Sequence, residues 1–161
     1  MFSKKEGLDL DKYYVYSIKE EFAYHYFYKS DILFRFLNLY QENKSRLDLS
    51  TQYQYITNDF PEDALISHLR KFYPHKISIQ IERNEIIIYN NDQSIKLHIH
   101  KKHLEFYCET LYDAEDLLFP ILRIFHPLLF IMSTNNIDYG WISPIMNRNE
   151  FKNRPKLYSY L

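Results

Sequence analysis

The chain has 161 residues, which suits one domain with a full hydrophobic core and no need for a metal or disulfide staple. A formal net charge of −1 with 25% charged residues excludes bulk attraction to DNA or to anionic membranes. The one cysteine, Cys108, excludes an intrachain disulfide, and neither a signal peptide nor a ~20-residue apolar span appears, so the expected location is cytoplasmic.

Residues 1–12 are polar and read as a flexible N-terminal extension, residues 13–151 as a single domain, and residues 152–161 as a polar C-terminal tail. Residues 13–18 are aromatic and β-branched and predict a strand. A helix follows from Lys19 or Glu20 to Lys29, with Glu20 and Glu21 placed to suit its N-terminal dipole. Ser30 and Asp31 are capping types ahead of a second helix, residues 32–42, in which Ile32, Leu33, Phe36, Leu37 and Tyr40 keep helical spacing. Residues 43–58 carry mixed signals. Within them Gln52, Tyr53, Gln54, Tyr55, Ile56 and Thr57 alternate as a strand would, or form irregular structure. Residues 61–73 predict a helix with proline in its first turn and a stripe of Leu65, Ile66, Leu69 and Phe72.

The next stretch is β-rich. Ile77, Ile79 and Ile81 alternate with polar residues, Asn84 supplies a turn, and residues 86–89 return. Asn90, Asn91 and Asp92 form a second turn cluster. Ile95, Leu97 and Ile99 alternate again, and residues 104–108 complete a meander. Thr110 is a capping type ahead of a helix over residues 111–125, with Leu118, Leu122 and Phe125 inward; Pro120 bends it or marks its true start. Residues 128–132 and 139–142 predict two last strands, separated by a turn at Asn135 and Asn136. The pattern argues for an α+β fold: a single domain in which an antiparallel β-meander sheet carries helices packed mainly on one face.

Catalytic motifs are missing: the sequence holds no glycine-rich phosphate loop, no His-Glu-x-x-His and no Gly-x-Ser-x-Gly, and only 2 glycines. Cys108 falls on an apolar strand and reads as an inert core thiol. The reading is therefore of a protein that is not an enzyme. His98, His100 and His103 lie close in sequence, and the first two share a strand face, as metal ligands can. Leu97 and Ile99 own the opposite face, so these histidines are expected to meet water. With no Cys or carboxylate to complete a set, the expectation is no metal and no cofactor. A metal-dependent regulator or enzyme built on this group is the rival reading, and a nucleic-acid module stacking bases on its 16 tyrosines is a third.

The stretch Phe22-Ala23-Tyr24-His25-Tyr26-Phe27-Tyr28 places three pairs at i, i+4: Phe22/Tyr26, Ala23/Phe27 and Tyr24/Tyr28. A helix on a sheet buries one stripe. Small Ala23 permits close approach, which assigns Ala23/Phe27 to the core and leaves Phe22/Tyr26 or Tyr24/Tyr28 partly exposed as a protein-binding patch. In Tyr139-Gly140-Trp141-Ile142-Ser143-Pro144, Gly140 reads as relief for a tight strand start and Trp141 as core filling.

Residues 13–27, the block Gln52-Tyr53-Gln54-Tyr55-Ile56-Thr57, and Tyr139-Gly140-Trp141-Ile142-Ser143-Pro144 with Asn147-Arg148-Asn149 keep their order along the chain. Together these blocks resemble the SirA family of sporulation inhibitors of replication. The single cysteine and the apolar stripes predict a chain that is monomeric on its own, and the resemblance implies that it binds domain I of the initiator DnaA and suppresses replication as sporulation begins. The resemblance also implies a contact set of Phe22, Tyr26 and Gln52. The chain departs from the family in carrying Tyr28 where a glycine is expected, and in longer termini.

Overall fold

The computed structural model describes residues 10–73, 77–83 and 85–143. His75, Asn84, Pro144, Asn147-Arg148-Asn149, most of the N-terminal extension and the C-terminal tail lie outside the described residues. Seven strands form one antiparallel sheet: β1 (Asp11–Ser17), β2 (Ser78–Glu82), β3 (Glu85–Tyr89), β4 (Ser94–Ile99), β5 (Leu104–Cys108), β6 (Leu129–Ser133) and β7 (Tyr139–Trp141). Their spatial order is β2-β3-β4-β5-β1-β6-β7. Among the described residues six helices accompany the sheet: α1 (Glu20–Tyr26), α2 (Ser30–Glu42), α3 (Leu47–Ile56), α4 (Glu62–Phe72), α5 (Leu111–Leu117) and α6 (Phe119–Phe125). The fold is α+β, as the sequence predicts. Among the described residues no helix is long and apolar enough to cross a membrane.

The alternation of side chains along β1 and β6 divides the interior in two. Tyr13, Val15, Leu129 and Ile131 enter one core with the meander residues Ile86, Ile88, Leu97 and Phe106 and with Leu65, Leu69, Leu117 and Leu122 from α4–α6. Tyr16, Phe130 and Met132 point the other way, into a core made with α1–α3 through Ala23, Tyr24, Leu33, Leu37, Tyr53 and Ile56. The meander β2–β5 thus has its helices on one face, whereas β1 and β6 are covered on both, which accounts for the unbroken burial of β6.

Several local expectations change. Residues 47–56, which include most of the alternating Gln52–Thr57 run, are helical, because Leu49, Tyr53 and Ile56 at i, i+4, i+7 are the buried set. Neither Ser30 nor Asp31 caps α2; Asp31 instead pairs with Arg35 at 2.9 Å one turn on. Thr110 likewise makes no side-chain cap for α5. Pro120 stands in the first turn of α6, so the segment after Thr110 is two helices. Arg83 takes φ 56° in the tight turn between Glu82 and Glu85, a left-handed backbone that favours glycine.

Candidate functional site

The face built by α1 and α3 is positioned by main-chain bonds. Lys19 N–H donates to Ile56 C=O at 2.9 Å, Asn58 N–H to Ser17 C=O at 2.8 Å, and Ile18 bridges Thr57. The start of α1 is therefore tied to the end of α3. Lys19 C=O then accepts from Phe22 and Ala23 N–H at 3.0 and 2.8 Å, opening the first turn of α1.

Inside this frame α1 buries Ala23 at 0% exposure and Tyr24 at 1%. Phe27, expected in the core, is only half-buried and stacks on Trp141 with ring centroids 5.8 Å apart. Phe27 keeps helical backbone angles as the residue that closes α1, and its ring lies at the edge of the Ala23/Tyr24 core, covered on one side by Trp141 from β7. Tyr28, beyond the helix, is 63% exposed. Phe22 and Tyr26 share one stripe and, like Phe27, are half-buried, each packing one side on the core and leaving part of the ring open.

Gln52 lies exposed on α3, across from the buried Leu49, Tyr53 and Ile56. Three residues on, Tyr55 is 61% exposed and sets its ring edge-on to Phe22 at 5.2 Å. Lys19 Nζ stands 5.2 Å above the Tyr55 ring. Gln52 and Tyr55 also line an open surface depression with Lys19, Asp48, Thr51 and Gln54. Phe22 and the α3 face are thus one continuous patch joined through Tyr55. Sequence reasoning missed Tyr55 and Lys19 as part of it; the Leu49/Tyr53/Ile56 spacing was the signal that turns Gln52 and Tyr55 outward together.

The patch is backed by stiff packing. Tyr53 stacks on Tyr40 at 4.0 Å and meets Tyr16 edge-on at 6.0 Å, and burial pushes the hydroxyl pKa of both Tyr16 and Tyr53 upward. Gln41 Nε2 donates to Tyr16 Oη at 2.7 Å. An aromatic pair held on such a base loses little side-chain entropy when a partner covers it.

The histidine group differs from expectation in two respects. A carboxylate does stand beside it: Glu105 on β5 lies directly across from His98 on β4, a pairing visible only from the strand register. His98, His100 and His103 are also half-buried rather than open to water. Cys108 is buried, and burial with nearby Asp11 and Asp113 pushes its thiol up to about 12, which suits an unreactive side chain. Gly140 has nothing within 4 Å of where a Cβ would sit, so no steric demand explains it. Trp141 is half-buried between Phe27 and Phe130 rather than fully in the core.

The family described as "Sporulation inhibitor of replication protein SirA" matches residues 11–146. The protein of that description from Bacillus subtilis (strain 168) is 30% identical over 146 residues, spanning 85% of this chain and 96% of the relative. The matched range includes every strand and helix described above.

Proposed function

The chain belongs to the SirA family of sporulation inhibitors of replication, and we propose that it restrains replication initiation by binding domain I of the initiator DnaA through the α1–α3 face. The inhibition is by masking: the patch covers a surface that DnaA needs for another contact, and no bond is made or broken. The observation that carries this reading is the partly open Phe22/Tyr26 stripe on a helix whose start is hydrogen-bonded to α3. Phe22 and Tyr26 act as anchors, Gln52 supplies a hydrogen bond, and Tyr55 and Lys19 extend the contact.

Buried aromatic anchors dominate interface energies, with truncation costing ~2 kcal/mol or more, roughly thirtyfold in affinity. A single neutral hydrogen bond is worth about 1 kcal/mol. Titrating the DnaA N-terminal domain with the full chain should therefore give large losses for Phe22→Ala and Tyr26→Ala and a smaller one for Gln52→Ala. Unchanged affinity in both aromatic variants would overturn the assignment of this face.

A further inference from the structure

The outer face of the meander holds a second concentration of chemistry. His98 on β4 and Glu105 on β5 are cross-strand partners. The hairpin closes with His100 N–H donating to His103 C=O at 2.8 Å, which folds His100 and His103 back over Glu105. One ligand-type atom from each of His98, His100 and Glu105 falls within 4.8 Å of the others. His100 Nε2 stands 3.3 Å from Glu105 Oε1. It nevertheless makes no hydrogen bond and is shut off from solvent, because the alignment is wrong for one. With its proton on Nδ1, the His100 ring would turn a lone pair at Nε2 toward that carboxylate oxygen, and the two would repel. A cation between them reverses the sign, and ligands of a tetrahedral zinc, each about 2.0–2.1 Å from the metal, are separated by about 3.3 Å.

From this arrangement we infer that His98, His100 and Glu105 form a three-ligand site for a divalent transition metal of the zinc class. Two imidazoles and one carboxylate suit such borderline ions better than calcium or magnesium, which take oxygen donors. His103 supports the site: its ring stacks on His100 at 4.5 Å, and its Nε2 lies 3.3 Å from Glu105 Oε1. Tyr107 Oη donates to the other Glu105 oxygen at 3.3 Å. Two groups compete with the metal. Glu85 Oε2 lies 2.9 Å from His98 Nε2, with Lys96 Nζ 3.5 Å from that same oxygen, and Lys12 Nζ lies 3.7 Å from Glu105 Oε1. Their displacement weakens binding relative to a closed structural zinc centre.

The test needs no partner protein, so its outcome is independent of the DnaA reading. Chelator-treated full-length chain is titrated with Zn2+ by calorimetry and with Co2+ by visible absorption. One saturable equivalent is expected, with Co2+ bands of tetrahedral intensity. His98→Gln, His100→Gln and Glu105→Gln should each weaken Zn2+ by roughly tenfold or more, while His25→Gln, on the exposed side of α1, binds as wild type. Circular dichroism checks folding; should Glu105→Gln not fold, the two partly exposed histidines decide the matter. No saturable binding, or binding that survives the His98→Gln/His100→Gln double variant, overturns the site.

Discussion

Tyr24 and Phe22 sit two residues apart on α1, yet the structure assigns their side chains opposite duties. Tyr24 is fully buried in the core shared by Tyr16, Leu33, Leu37 and Phe130. Replacing it with alanine removes a whole aromatic side chain from a close-packed interior, a loss of about 3–5 kcal/mol. For a domain of this size each kcal/mol moves Tm by about 2–4 °C, so Tyr24→Ala should melt about 6–20 °C below wild type. Phe22 is half-buried and its edge-on contact with Tyr55 is worth about 0.5–1.5 kcal/mol. Phe22→Ala should therefore lose less than about 2 kcal/mol. Phe27→Ala should fall between the two, since that ring keeps its stack on Trp141 but is not enclosed. Urea unfolding of the three variants, read by near-ultraviolet circular dichroism, gives the ranking directly. If Phe22→Ala costs as much as Tyr24→Ala, α1 faces the other way and the proposed contact surface goes with it.

Gly140→Ala should leave stability within about 0.5 kcal/mol of wild type, because a Cβ there meets nothing within 4 Å and the φ is not positive; a large loss in thermal melting would show a demand the backbone does not reveal. Cys108 should resist alkylation by iodoacetamide at pH 8 in the native protein and react only on unfolding, since the thiol is both enclosed and titrates near 12; rapid native labelling would contradict its place in the core. Tyr16→Phe removes the acceptor of the Gln41 side chain and should lower the urea-extrapolated stability by about 1 kcal/mol. A neutral result would mean that Gln41, at the half-buried edge, finds water instead.

Residues whose partners are close in sequence were legible. The meander follows from the alternation of Ile95, Leu97 and Ile99 with polar neighbours, and the start of α6 from Pro120. Spacing with Ala23 inward leaves Phe22/Tyr26 or Tyr24/Tyr28 open, and the burial of Tyr24 separates them. What failed depended on length or register. The period-two run from Gln52 to Thr57 concealed α3: alternation would put Tyr53 and Tyr55 on one face, whereas the helix turns Tyr53 in and Tyr55 out. Phe27 was placed too deep because the ring that meets it, Trp141, comes from β7 at the far end of the chain. Glu105 was not seen beside His98 because the pairing of β4 with β5 is fixed by the hairpin, and one residue of slip would send it to the other face. The division into two cores was hidden too: it requires β1 to lie between β5 and β6, a long-range arrangement that no window of sequence contains.

Hydrogen exchange of the full chain with and without the DnaA N-terminal domain tests the central claim most directly. Slowed exchange should appear in α1, residues 20–26, and along the outer half of α3, residues 51–55, with the β4–β5 hairpin and its histidines unchanged. Protection confined to the hairpin or to the β2–β3 edge, with α1 and α3 exchanging as in the free protein, would contradict the account.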